Sequence, residues 1–277
     1  MSASARASSR RRLAFVRRHL LTAYAMLAFA YLLLPIAVVI AFSFNDPPGK
    51  FNYTWEGFTL DNWRNWDAVP GLRDAIVLSI QIAVIASLAA TALGTLIALA
   101  IVRHRYRGRG VTNLLVFLPM ATPEIVLGAS LLSLFLTASG VFTLGPWTIL
   151  IAHAMFCISY VVVTAKARLI GFDRHLEEAA MDLGANELVT FARVTLPLLA
   201  PAILSGFLLS FALSVDDFVI TNFVAGDEIT FPVFVWGAAR VGAPPQVNVI
   251  GSVIFLAAVA VMAVNALVQI RRSKGAQ

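Results

Sequence analysis

Charged residues are scarce in this chain of 277 residues, and the scarcity excludes an ordinary soluble domain. Only 13% of the residues are charged, whereas 59% are hydrophobic, which is the composition of a membrane protein. The chain has a single cysteine, Cys157, so an internal disulfide is excluded. His153 lies four residues earlier in the same apolar run, but two potential ligands make a poor metal site. We interpret both as packing residues.

The motifs of nucleotide hydrolysis and of metal-dependent or serine hydrolysis are missing as well. The sequence contains no GxxxxGK[ST] phosphate loop, no HExxH, no paired-cysteine metal site and no GxSxG elbow. We therefore expect neither catalytic residues nor a metal or cofactor, and the chain should not hydrolyse ATP itself. Any energy for its work must come from a partner.

Long apolar runs make up most of the sequence, and each can cross a hydrocarbon core of about 30 Å at about 1.5 Å per residue. The six predicted spans are Leu21 to Phe44, Ala75 to Val102, Thr112 to Leu136, Phe142 to Ala165, Leu198 to Val224 and Val247 to Ile270. The first run lacks a small-residue cleavage site, so a span is predicted rather than a signal peptide. We predict an all-α integral membrane protein with one six-helix domain, residues 21–270, between a basic tail, 1–20, and a C-terminal tail, 271–277.

Lysine and arginine are distributed unevenly between the predicted spans. Seventeen of the 21 fall in the two tails and in the segments 103–111 and 166–197. The positive-inside rule therefore predicts that both termini and both segments are cytoplasmic. The net charge of +6 is then a topology signal, with some attraction to the anionic headgroups of the lipid bilayer. No nucleic-acid partner is expected.

Three acidic residues, Glu124, Asp216 and Asp217, lie inside predicted spans, where a charge costs about 2.5–3.5 kcal/mol. Glu124 follows Pro119 and Pro123, which should bend the helix; it either lines a water-filled path or is a hydrogen-bonded structural residue. Asp216 and Asp217 should point about 100° apart on one helix. One is expected to face the path while the other bonds to a neighbouring helix. Since acidic groups favour a cation in a low-dielectric cavity, we predict a cation pathway.

The segment 45–74 is rich in aromatic residues and carries more acidic than basic residues. Its rings are Phe51, Tyr53, Trp55, Phe58, Trp63 and Trp66. Aromatic side chains are enriched at membrane interfaces, so the segment is either an interfacial belt or a functional element, namely a dock for an extracytoplasmic binding protein or part of the substrate entrance. Both interpretations remain open at this point.

A charged segment joins the fourth and fifth predicted spans and has the pattern of two short helices. Gly184 can end the first helix in a left-handed conformation, which costs glycine little. Asn186 can cap the second helix, and Leu196-Pro197 should close the unit before the next span. We expect a helical hairpin at the cytoplasmic face of the membrane.

The same segment resembles the EAA loop of the inner-membrane permease subunits of ABC importers. The matching residues are Glu178, Ala179, Ala180, Gly184, Val194, Leu196 and Pro197. Val194 stands where isoleucine is common, which is a conservative departure. The resemblance implies an ABC importer permease fold in which this segment, about 166–197, carries a coupling helix. That helix would sit in a groove of a dimeric ATPase subunit.

Three further stretches resemble spermidine/putrescine permease subunits: TPEIVLG from Thr122, LSVDDFVITNFVAG from Leu213 and TFPVFVWGAARVGAPPQVN from Thr230. The resemblance implies a bacterial inner-membrane importer with a second permease subunit and an extracytoplasmic solute-binding protein. Polyamine would pass inward by alternating access. The acidic residues of the spans would line the substrate path. An ABC permease for another small solute, or a cation channel or ion-coupled secondary transporter, remains an alternative.

Overall fold

The structure, a computed structural model, describes the backbone of residues 3–49 and 51–274 and the side chains of residues 19–49, 51–261 and 263. The described chain is helical and has no β-strand, as the predicted fold class requires. The α-helices are α1 (Ala3–Phe42), α2 (Asp61–Arg64), α3 (Leu72–Arg103), α4 (Arg109–Ala121), α5 (Glu124–Thr137), α6 (Pro146–Ile170), α7 (His175–Asp182), α8 (Glu187–Thr190), α9 (Leu196–Asp216), α10 (Val219–Val224), α11 (Phe231–Val241) and α12 (Pro245–Lys274).

Four helical stretches of the described chain are long and apolar enough to cross a membrane. They are His19–Phe42, Leu72–Arg103, Pro146–Ile170 and Glu187–Asp216. Helices α4 and α5 make a fifth only if the bent pair is one span, and the described apolar part of α12 is shorter than a span. The prediction of an all-α membrane protein is confirmed, while the count of six spans stays a prediction.

The third predicted span, Thr112 to Leu136, is wrong as a single helix. The helix axis bends by 110° between α4 and α5. Thr122 and Pro123 are both extended, with ψ of 133° and 132°. A residue before proline avoids the helical region, and proline has no N–H for the carbonyl four residues earlier. The predicted bend is therefore present, but it is made by Pro123, and Pro119 lies inside α4 without ending it.

The fifth predicted span, Leu198 to Val224, begins too late. The chain is helical from Glu187 to Asp216, so Leu196 and Pro197 lie inside a helix and do not close the preceding segment. Pro197 cannot donate a hydrogen bond to the carbonyl four residues earlier. The turn before it, Phe191–Thr195, is wound as a π-helix, a local widening that accommodates an interrupted hydrogen-bond ladder.

The same predicted span also ends too late, because α9 stops at Asp216. Asp217 is extended, with φ of −67° and ψ of 115°, and α10 starts afresh at Val219. The prediction that the two aspartates project 100° apart on one helix therefore fails. The fourth predicted span differs less: α6 starts at Pro146 rather than Phe142, because proline fits the first turn of a helix.

Residues 71–237 form one packed unit, in which α3, α6 and α9 pack against one another. Helix α3 presents small buried residues at almost every turn: Ala83, Ala86, Ala90, Gly94 and Ala98. A Cβ added at Gly94 would lie 2.7 Å from the Cβ of Val161 on α6. The two backbones thus approach as closely as glycine permits. Such small-residue packing drives helix association in a membrane, where burial from water contributes little.

Residues 1–70 and 238–277 form the other unit, in which α1 packs against α12. The chain after α1 folds around the side chain of Asn45. Its amide nitrogen donates to Asn52 Oδ1 and to the carbonyl of Thr54, both at 2.7 Å, and its oxygen accepts from the N–H of Glu56 at 2.8 Å. An asparagine with donor and acceptor both used fixes the course of this segment.

The predicted aromatic segment keeps most of its rings outside this folded turn. The ring of Phe44 stacks on Phe58 and Trp63, with centroids 5.5 and 5.2 Å apart. Four residues of the segment are more than half exposed: Phe51, Tyr53, Trp55 and Phe58. An ordered backbone with outward rings fits both predicted uses of the segment, the interfacial belt and the dock.

Candidate functional site

The break between α9 and α10 is held by a buried cluster of polar side chains, which we call the His153 cluster: His153, Ser214, Asp217 and Thr221. His153 lies on α6, and the side chains of His153 and Asp217 are only 3% and 7% exposed. His153 Nε2 lies 3.1 Å from Asp217 Oδ2 and 2.8 Å from Thr221 Oγ1, and His153 Nδ1 lies 2.7 Å from Ser214 Oγ. The cluster therefore ties α6 to both sides of the break.

The Asp217 carboxylate is the acceptor at the centre of this cluster. It accepts the backbone N–H of Thr221 at 2.8 Å and the Thr221 hydroxyl at 2.9 Å. With the ring proton on Nε2, His153 also donates to Asp217, and the Ser214 hydroxyl donates to Nδ1, so each group has a partner. Buried charge is tolerated when it is paired and hydrogen-bonded in this way. Asp217 is thus a structural acceptor that begins α10.

Asp216, the adjacent residue, has the opposite surroundings to Asp217. It is exposed, and no other side chain in the described part of the chain forms a hydrogen bond or an ion pair with it. Two residues on, Phe218 contacts Trp236 with ring centroids 5.1 Å apart, and Trp236 is half exposed. A free carboxylate attracts an organic cation by charge, and aromatic ring faces attract it by cation–π contact.

Glu124 is the first residue of α5, directly after the proline break. Its side chain is exposed and lies within electrostatic reach of the Tyr160 hydroxyl on α6. Among the described residues no hydrogen bond or ion pair involves it. The role of Glu124 in a water-filled path stays a prediction.

The predicted turn at Gly184 is present, with φ of +87°. Both hydrogen bonds of a Schellman motif close the end of α7: the N–H of Ala185 reaches the carbonyl of Ala180 at 3.1 Å, and the N–H of Gly184 reaches that of Met181 at 2.9 Å. Asn186 caps α8 as predicted, since its Oδ1 accepts the N–H of Val189 at 2.9 Å. Local sequence chemistry therefore predicts the turn and the cap of this hairpin.

The hairpin presents apolar side chains to the outside. Leu183 is 90% exposed and Leu188 is 79% exposed, and Leu176 and Met181 are also exposed. Glu178, Ala179 and Ala180 of the predicted coupling helix lie in α7, where Glu178 is exposed and contacts His175 at 3.0 Å. Exposed leucines in a charged, polar segment mark an interaction surface rather than a packed core.

An ion pair that the sequence analysis did not find anchors this hairpin. Glu177 Oε1 lies 2.8 Å from Arg103 Nη2 at the end of α3, and it also accepts the Thr195 hydroxyl. Arg103 lies over the ring of Phe172 at 5.0 Å. The two charged side chains are 15% and 18% exposed, so the pair is partly desolvated and less screened by salt than a surface pair. Its partners are 74 residues apart, a pairing that no local pattern reveals.

Metal-ligating side chains are not gathered anywhere in the described residues, since no group of three or more histidine, cysteine, aspartate or glutamate side chains could hold an ion. Cys157 is buried, and its thiol points to the carbonyl of Ser210 at 3.5 Å. Cys157 is the packing residue that the sequence indicates. The interpretation of His153 as a packing residue is wrong, because both of its ring nitrogens are hydrogen-bonded.

Comparison with known families matches residues 90–272 to the model described as "Binding-protein-dependent transport system inner membrane component". Among curated proteins, the chain is 36% identical over 253 residues to the spermidine/putrescine transport system permease protein PotC of Haemophilus influenzae, covering 91% of this chain and 97% of that protein. It is 37% identical over 235 residues to the putrescine transport system permease protein PotI of Escherichia coli K12, covering 83% of each.

A solved structure shares the fold at lower identity. A chain of a bacterial ABC transporter involved in the import of the acidic polysaccharide alginate matches with a TM-score of 0.64 and 20% identity. The match covers 94% of this chain and 96% of that one. At this identity the likeness concerns the fold alone.

Proposed function

Since the chain belongs to the family of binding-protein-dependent transport system inner membrane components, we propose that it is the permease subunit of a polyamine importer. The family makes it a multi-pass membrane transport subunit. The solute we assign is spermidine or putrescine, since one relative that covers 91% of the chain is named for both and another that covers 83% is named for putrescine. Transport is inward and proceeds by alternating access.

The observation that carries this assignment is the contrast between the two neighbouring aspartates. Asp216 is exposed and precedes by two residues Phe218, whose ring contacts Trp236. A polyamine ammonium group is attracted to a carboxylate by charge and to ring faces by cation–π contact. Glu124, also exposed, is the second acidic contact of the path. Asp217 is buried, and we assign it the shaping of the site rather than contact with the solute.

Energy for transport comes from a separate ATPase dimer, because no phosphate loop is present in the sequence. The exposed leucines of the α7–α8 hairpin, Leu183 and Leu188, are the side chains we assign to the groove of that ATPase. A short helix with exposed apolar side chains can lay them into a hydrophobic groove of a partner. Residues Glu178 to Ala180, Gly184, Leu196 and Pro197 belong to the same segment and its continuation into α9.

The orientation of the chain in the membrane indicates where its other partners bind. Both termini and the α7–α8 hairpin lie on the cytoplasmic side of the bacterial inner membrane, in line with the distribution of lysine and arginine. The segment 45–74 then faces outward. Its exposed rings, such as Tyr53 and Trp55, are suited to a solute-binding protein, since aromatic residues are enriched at protein interfaces. A second permease subunit completes the path.

Uptake of labelled spermidine and putrescine tests the proposal. Cells without this gene, cells with the gene restored and cells that carry Asp216→Asn should be compared, with all three chains quantified in the membrane. We expect uptake to disappear with the gene, to return with the native chain, and to fall at least about tenfold with Asp216→Asn, because a lost charge-assisted contact is worth about 1.5–3 kcal/mol. Undiminished uptake in the deletion strain, with no redundant system, would exclude polyamine as the solute.

A cation channel or an ion-coupled transporter is the rival from another class. A variant that removes the ATPase-facing turn separates the two. Gly184→Val forces a β-branched residue into φ of +87°, a conformation that costs such a residue on the order of 1–3 kcal/mol. We expect normal membrane insertion and loss of ATP-driven uptake. Gly171→Val, at a glycine with φ of −86°, is the control, and uptake equal in both variants would contradict a coupling role.

A further inference from the structure

The His153 cluster has features that neither the family resemblance nor the predicted path explains. Its members come from α6, from the end of α9 and from α10. Three of the four side chains flank a break that contains neither proline nor glycine. A helix that stops in an apolar span without a breaking residue requires other groups to satisfy its polar atoms. Asp217 accepts the N–H of Thr221, and His153, from a different helix, bonds in turn to the side chains of Asp217 and Ser214.

The cluster determines the conformation of Asp217, and hence the direction of the residue before it. Asp217 is extended while its side chain reaches forward to the N–H of Thr221 and sideways to His153. These bonds fix the peptide unit that joins Asp217 to Asp216. Asp216 is left at the last position of α9, with its side chain exposed. Two adjacent carboxylates are thereby given opposite surroundings by one imidazole.

We propose that His153 is a positioning residue that holds Asp216 towards the solute through its bond to Asp217; this rests on the function proposed above. Without the imidazole, Asp217 keeps Thr221 as a donor but loses its link to α6. The carboxylate then has room to turn, and the α9–α10 junction loses its anchor. His153 therefore affects the affinity for the cation without touching it.

Removal of the imidazole by His153→Ala is the first arm of the test. In the assembled importer, with uptake of labelled spermidine as the readout, we expect the half-saturating concentration to rise about tenfold, because a charge-assisted hydrogen bond is lost. The maximal rate should change much less. His153→Gln keeps an N–H donor for Asp217 and should recover most of the affinity. Thr164→Val, whose native hydroxyl bonds to the Tyr160 carbonyl of its own helix, is the matched control and should leave the affinity unchanged.

A double-mutant cycle distinguishes positioning from general structural support. If His153 acts through Asp216, then His153→Ala added to Asp216→Asn should cost less than about twofold further. The same fold-loss in both backgrounds would overturn the proposal, as would an equal loss with His153→Gln and His153→Ala. A loss that appears only in the maximal rate or only in the amount of assembled complex would overturn it too.

A second readout does not depend on the identity of the solute. The one cysteine of the chain is removed by Cys157→Ala, and Asp216→Cys introduces a thiol at the site, in a complex whose other subunits lack reactive thiols. We expect His153→Ala to change the rate of labelling by a charged thiol reagent several-fold, and His153→Gln to restore it. Unaltered labelling would overturn the positioning role. If labelling changes as expected but polyamine uptake is independent of this chain, the assigned solute is wrong and the positioning role stands.

Discussion

The break between α4 and α5 is made by a proline, whereas the break between α9 and α10 is made by a carboxylate. At the first, Thr122 and Pro123 are extended for steric reasons, and Glu124 is left exposed at the start of α5. At the second, Asp217 is buried and receives bonds from α6 and α10. Helix α5 packs against α10, so the segments that follow the two breaks are in contact.

The difference shows that an acidic residue in an apolar span is not a binding residue by virtue of its charge. The cost of the charge can be met by protein partners, as for Asp217, or by water and solute, as we infer for Asp216 and Glu124. The bonds around each carboxylate decide between these roles. Three residues that look equivalent in the sequence therefore divide into one structural and two accessible groups.

Removal of the structural carboxylate should have the largest effect on stability. Asp217→Ala leaves His153, the Thr221 hydroxyl and the N–H of Thr221 without their acceptor. We expect a loss of about 3 kcal/mol, which is typical when one partner of a buried pair is removed. The midpoint of thermal unfolding of the purified complex measures it. Asp216→Ala is the control and should change stability by less than about 0.5 kcal/mol; equal losses would contradict the comparison.

An intermediate effect is expected where α5 meets α10. A Cβ at Gly128 would lie 2.6 Å from Cδ2 of Phe223, so Gly128→Ala overpacks the contact and should cost about 1–3 kcal/mol. Gly206→Ala is the matched control, since its Cβ would lie at an ordinary 3.5 Å from Val161. Alanine also has a higher helix propensity than glycine, so this variant should not be destabilised. The midpoint of thermal unfolding should be lower for Gly128→Ala than for Gly206→Ala. Phe223→Leu should rescue Gly128→Ala, and failure of that rescue would place the strain elsewhere.

The smallest effect on stability is expected at the proline break. Glu124→Gln removes an exposed charge and should change the free energy of unfolding by less than about 0.5 kcal/mol. The half-saturating polyamine concentration should rise by up to about fivefold, since exposed charge contacts contribute about 0.2–1 kcal/mol. Uptake kinetics of the quantified variant measure it. A destabilised variant with unchanged kinetics would make Glu124 a structural residue instead.

Features that depend on local chemistry were predictable from the sequence. The turn at Gly184, the cap at Asn186 and the bend near Pro123 each rest on the conformational preference of one residue and its near neighbours. The break at Asp217 was not predictable, because it depends on His153, which is 64 residues away in the sequence. The apolar run continues through the break, so its composition indicates one span.

The candidate site shows the same division. Glu178 was predicted from the spacing of a motif, but its neighbour Glu177 is the residue that pairs with Arg103. Adjacent glutamates on a short helix point in different directions, and only the position of α3 selects between them. Sequence spacing therefore located the acidic residues, whereas the packing of distant helices assigned their partners.

The helical stretch from Glu187 to Asp216 is long, although the π-helical turn before Pro197 interrupts its regular hydrogen-bond ladder. Its 30 residues correspond to about 45 Å at about 1.5 Å per residue. A rotation of about 5° around the Glu187 end would carry the Asp216 end through roughly 4 Å at that length. The π-helical turn at Phe191–Thr195 lies near the Glu187 end. A change of helix direction at this turn would therefore move the Asp216 end through most of that distance. If the ATPase moves the α7–α8 hairpin, as we propose, this length would convert a small rotation there into a displacement of the Asp216 carboxylate.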